Sequence, residues 1–127
     1  MLRQFYMNGD LWRVQFVPPQ DDVLIDRTGK RTLAVSDYST MLISIASNLH
    51  GEFLNRVFIH ELGHCVMFSY GLLPELHRMV KKRYWVDAEE WCCNFISDYS
   101  GIIIVTSKDI LGNSFSLVMP RTFELIA

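Results

Sequence analysis

The spacing of apolar positions changes character after the first third of the chain. Two apolar runs, Leu2–Met7 and Leu11–Val17, flank Asn8-Gly9-Asp10, and this turn signal between alternating segments predicts a β-hairpin. Pro18-Pro19 ends it, because proline donates nothing to a strand ladder. A second hairpin is predicted from Val23–Ile25, through a turn at Arg27-Thr28-Gly29-Lys30, and back along Thr32–Val35. Ser36–Thr40 reads as loop and Met41–Ala46 as a further strand.

From about His50 to Tyr70 the period becomes helical. Phe53, Leu54, Val57, Phe58, Ile59, Leu62, Val66 and Met67 cover nearly the whole circumference, which predicts a central helix rather than a surface one. Gly71 is its expected stop. A short helix is predicted after Pro74, since proline suits a first turn. Asp87 is then read as the cap of a third helix, whose apolar stripe Ala88, Trp91, Cys92, Phe95, Ile96 and Tyr99 is expected to face a core. Trp85 and Trp91 are assigned to that core as well. The run Ile102–Val105, beyond Gly101, fits a strand or a buried helical turn, and the segment from Leu111 to Ala127 receives no assignment. With no repeat or linker between strands and helices, residues 1–127 are read as a single α+β domain.

Half of the residues are apolar and 13% aromatic, which argues against disorder. A formal charge of −2 supplies no basic footprint for nucleic acid, and the local cluster Arg78, Lys81, Lys82 and Arg83 reads as a solvated helix end. The N-terminal stretch lacks the apolar core of a secretory signal, and no run approaches the ~20 residues that span a bilayer, so a cytoplasmic protein without membrane contact is expected. Cys65, Cys92 and Cys93 are odd in number and lack C-x-x-C spacing, which fits reduced, packed thiols.

The chemistry concentrates in His60-Glu61-Leu62-Gly63-His64. Four residues advance a helix slightly more than one turn, so both imidazoles share one face and can bind one ion. Glu61, about 100° round the helix, stands near that ion without ligating it. An H-E-x-x-H run of this kind binds Zn2+ and uses its glutamate on a water molecule. Catalytic zinc needs a third protein ligand, and the remaining candidates are His50, His77, Glu52, Glu75, Asp87, Glu89, Glu90 and Asp98. On a helical wheel Glu89 borders the apolar stripe while Glu90 points almost directly away from it, towards water, so Glu89 is selected. In the resulting mechanism zinc acidifies a water and polarises a carbonyl, and Glu61 serves as general base and then acid. Tyr70, His77 and Tyr84 are candidate oxyanion donors.

Together with Glu89-x-x-Cys92-x-x-Phe95-Ile96, the H-E-x-x-H run resembles the ImmA/IrrE-type metallopeptidases and, more broadly, the small gluzincins. The resemblance implies a zincin-like fold, with an antiparallel or mixed β-sheet packed on an active-site helix and a glutamate helix. It also implies Glu89 as third zinc ligand and cleavage of a protein or peptide substrate, often a regulator. Cys92 and Ile96 stand where the family has small alanines, and Asp98-Tyr99-Ser100-Gly101 where it continues with leucines and Met-Pro. The competing reading is a regulatory or host-interaction protein that keeps the zinc scaffold without proteolysis. Retention of Glu61 favours the enzyme, because a site that only holds zinc has no use for it.

Overall fold

The computed structural model describes residues 3–120; Leu2, at the expected start of the first strand, and residues 121–127 of the unassigned tail lie outside it. The first hairpin forms as its sequence predicts. Strand β1 (Arg3–Met7) pairs antiparallel with β2 (Asp10–Val17), and the turn places both Asn8 and Gly9 at positive φ, the geometry that matches the twist of the two strands.

The second hairpin does not form. Asp22–Leu24 makes a 3-10 turn, capped by Asp21, whose side chain accepts from the Val23 amide. Asp26 accepts from the Thr28 and Lys30 amides and from the Thr28 hydroxyl, and ladder pairing is reduced to one bridge between Ile25 and Arg31. Asp21 thus takes the Val23 amide that the first strand would have used, and Asp26 closes the turn at Thr28 and Lys30. The returning strand, β3 (Ala34–Asp37), starts later than expected and takes Ser36 and Asp37 out of the predicted loop. It pairs antiparallel with β4 (Leu42–Ala46), which lies parallel to β2. The sheet is therefore mixed, in the order β1-β2-β4-β3, with β3 on an edge.

Helix α1 (Gly51–Ser69) packs against this sheet. Trp12, Val14, Ile43, Ile45 and Cys65 form the main buried cluster between them, and the Trp12 indole donates to Ser69 Oγ at the far end of the helix. Gly71, at φ +68°, lets Leu72 N–H reach the Met67 carbonyl and its own N–H reach that of Phe68, a Schellman stop. Only the second half of α1 is enclosed. Phe53 is half-exposed and, with Val57, borders an open cavity, so the apolar circumference marks a cavity wall as well as a core.

Helix α2 (Leu73–Met79) carries Pro74 in its first turn. Helix α3 (Trp85–Leu111) starts two residues before Asp87 and continues through Gly101, so Ile102–Val105 are helical. It packs along α1. Its phase differs from the expectation: Glu89 and Cys93 are buried, whereas Trp91, Phe95 and Tyr99 of the apolar stripe are exposed. The architecture is α+β, a four-stranded mixed sheet packed on α1 and α3. No helix among the described residues is long and apolar enough to cross a membrane.

Candidate metal centre

The H-E-x-x-H run lies in the enclosed half of α1. His60 and His64 stand one turn apart with ring centroids separated by 5.1 Å, and both direct Nε2 to the same side. A single carboxylate meets them there: Glu90 Oε2 lies 3.0 Å from His60 Nε2, and Oε1 lies 3.1 Å from His64 Nε2. Donor atoms around a tetrahedral zinc at bond lengths of 2.0–2.1 Å would sit about 3.3 Å apart, so the three groups need only small movements to share one ion. Cys93, one turn beyond Glu90, completes a second possible group, with a ring nitrogen of His60, one of His64 and Cys93 Sγ within 4.8 Å of one another.

A glycine makes this approach of helices possible. A Cβ added to Gly63 would lie 3.1 Å from Cys93 Sγ and 3.4 Å from Cys93 Cα, so the absent side chain lets α3 come close to α1. That contact brings Glu90 to the imidazoles.

Glu61 points elsewhere. Its carboxylate is buried and accepts a 2.8 Å hydrogen bond from Ser36 Oγ on edge strand β3, while its other oxygen stays 3.8 Å from His60 Nε2. Burial raises its pKa against the opposing pull of His64, Ser36 and His60, making it a stronger base than a solvated carboxylate. At His60, burial alone would lower the pKa, but the Glu90 hydrogen bond and the charges of Glu61 and Glu90 outweigh it and the net shift is upward. The two imidazoles hold the Glu90 carboxyl well below the ordinary carboxylate range. Burial pushes the Cys93 thiol far up, so in the metal-free protein it keeps its proton. His60, Glu61, His64 and Glu90 all open onto a cavity of about 740 Å³ bounded by β3, the loop before it, and the first half of α1.

Glu89, selected from the sequence as third ligand, is only 2% exposed and faces other partners. Arg27 Nη2 donates to it at 2.7 Å, His77 Nε2 lies 2.9 Å away, and the Tyr38 hydroxyl donates at 3.2 Å. The wheel thus separated the two glutamates but exchanged their surroundings, because the apolar stripe used as reference faces outward. Glu90, expected in water, touches both histidines. Cys93, treated as packing, has its sulfur beside them, and the equal spacing of Glu90 and Cys93 on one helix face was the available signal. Tyr38, Ser36 and Arg27 carried no sequence signal at all. Of the oxyanion candidates, His77 is engaged with Glu89 and stacks on Trp85 at 4.2 Å, and neither it, Tyr70 nor Tyr84 lines the cavity. His50 caps α1 at its start, ten residues from His60, and is likewise absent from the cavity wall.

No protein-family model matches this chain, and comparison with curated proteins and with solved structures returned no match.

Proposed function

We propose that this protein is a zinc-dependent peptidase acting on a protein or peptide substrate, with His60, His64 and Glu90 as metal ligands and Glu61 as general base. The observation that carries this reading is the division of labour between two carboxylates. Glu90 meets both Nε2 atoms at once, while Glu61 is held off by Ser36 with its basicity raised by burial. A bound zinc would acidify a water and polarise the scissile carbonyl. Glu61 then accepts the proton of the attacking water and returns it to the leaving amine, a role that needs a carboxylate near the ion but not on it. The cavity admits a chain segment alongside β3, whose outer edge has no strand partner among the described residues.

The experiment combines metal analysis with three variants. Protein purified without added zinc should carry about one ion per chain. Glu61→Gln should keep that ion and lose cleavage by roughly 10²–10⁴-fold, measured as new peptide termini in cells expressing the native chain but not the variant. Glu90→Ala should lose the ion. A native chain that neither carries nor takes up zinc would remove the proposal.

Cys93 supports a second reading, a regulatory protein with a non-catalytic metal site. If Cys93 and Glu90 both ligated, four protein groups would close the coordination shell and leave no place for water. The packing of Sγ against Gly63 weighs against it, since the sulfur is already engaged between the two helices. Cys93→Ser decides between the two: it leaves zinc in place under the peptidase reading and releases it under the closed-site reading.

A further inference from the structure

We infer that Tyr38 and Glu89 form a positioning relay that fixes the tautomer and orientation of His64, so that its Nε2 lone pair faces the cation. The inference rests on the metal reading above and assigns a role to a buried carboxylate that the proposed chemistry does not use. Tyr38 Oη lies 3.0 Å from His64 Nδ1 and 3.2 Å from Glu89 Oε1. Counting protons decides the direction of both bonds. Glu89, bonded at 2.7 Å by the Arg27 guanidinium, is a carboxylate and can only accept. The single hydroxyl proton of Tyr38 therefore goes to Glu89. Its oxygen is left to accept, and the donor is His64 Nδ1–H. With its proton on Nδ1, the imidazole can offer the Nε2 lone pair to a cation bound on the side where Glu90 lies.

Each member of the relay is held by a different part of the fold. The Tyr38 ring, in the turn after β3, stacks on Phe68 of α1 at 5.0 Å, and Phe68 in turn meets the edge of Trp12. Glu89 is fixed by Arg27 from the loop between β2 and β3 and by His77 from α2. Hydrogen-bonded partners outside the ligand shell hold metal-binding histidines in this way, and their loss typically costs 10–100-fold in metal affinity. Tyr38 and Glu89 are thus positioning residues, acting on the ion through His64. The adjacent glutamates of α3 divide the work, Glu90 on the metal side and Glu89 behind the imidazole.

The test measures zinc affinity by chelator competition in the full-length chain, for the native protein, Tyr38→Phe, Glu89→Gln and the double variant, alongside the thermal melt of each metal-free form. Tyr38→Phe removes one oxygen and should weaken zinc binding 10–100-fold with little change in the metal-free melt. Glu89→Gln should weaken it in the same direction, and the double variant should bind within about threefold of Tyr38→Phe, because both changes cut one chain. Nitrogen-15 NMR of the zinc-loaded native protein should show His64 protonated at Nδ1, with that proton's hydrogen-bonded shift lost in Tyr38→Phe. If Glu89→Gln fails to fold, Tyr38→Phe and the NMR signature still decide. Equal zinc affinity in native and Tyr38→Phe proteins overturns the relay while leaving the metal reading intact, as do losses that multiply in the double variant. A native protein that binds no zinc removes both.

Discussion

The two faces of α3 reverse the usual arrangement of a packed helix. Its inward face carries Glu89 at 2% exposure and Cys93 at 0%, with Glu90 beside them, whereas its outward face carries Trp91 at 66%, Tyr99 at 55% and Ile102 at 60%. An amphipathic helix ordinarily buries its apolar stripe, because that removes the most hydrocarbon from water. Here the face that gains least from burial is the one enclosed. It can remain so because its polar atoms are partnered: among the described residues no buried side-chain nitrogen or oxygen lacks a hydrogen bond. The outward face makes contacts of its own, with Trp91 stacked on Phe95 and Phe95 tilted against Tyr99. A local inversion of this kind marks where the interior is organised by chemistry rather than by hydrocarbon packing, and here it coincides with the two histidines.

Substituting an apolar residue on the inward face should have the largest effect. Glu89→Leu would strand Arg27, His77 and Tyr38, and we expect a loss of about 2–3 kcal/mol in chemical denaturation, less than the ~3–5 kcal/mol of a fully buried pair because Arg27 is half in water. A gain in stability would mean that the inward face is polar without being organised. Acid sharpens the same point. Burial raises the Glu89 carboxyl, but the bonds from Arg27, His77 and Tyr38 outweigh it and leave its pKa below the ordinary 4.5. Its contribution is therefore fully present above about pH 4.5 and is lost as pH falls through the lower folded value. The stability difference between native protein and Glu89→Gln should accordingly shrink as pH falls below 4.5. A constant gap down to the acid limit would detach it from that carboxylate.

A smaller effect is expected at the contact that sets the distance between the helices. Gly63→Ala places a methyl 3.1 Å from Cys93 Sγ and should cost about 1–2 kcal/mol, with weaker zinc retention as Glu90 is pushed back. Unchanged stability and zinc binding would show that α3 can shift without cost. Smallest of all should be the outward face. Trp91→Ser should alter denaturation by no more than about 0.5 kcal/mol, as at most surface positions. A loss of several kcal/mol would mean that the stripe is covered in solution.

Much of this molecule can be read locally. The paired positive-φ positions of Asn8-Gly9, the stop at Gly71, the helix start at Pro74 and the shared face of His60 and His64 all depend on backbone geometry over four or five residues, and all appear as their residue types require. The second hairpin is reduced to one bridge for an equally local reason that strand patterning does not weigh, namely that Asp21 takes the Val23 amide and caps Asp22–Leu24 as a 3-10 turn. The run beyond Gly101 fitted a strand or a helical turn equally; a single glycine costs a helix only about 1 kcal/mol, and α3 runs through it.

What the amino-acid order determined by itself was the kinds of element, the H-E-x-x-H face and the presence of a nearby helix carrying adjacent glutamates. Which glutamate meets the histidines, which way the aromatic stripe of α3 turns, and the arrival of Tyr38 and Arg27 behind the site were decided only by tertiary structure. The physical reason is that residues 100° apart on one helix are separated by its rotation about its own axis, and that rotation is set by partners distant in sequence, here Gly63 against Cys93 and Arg27 and His77 against Glu89.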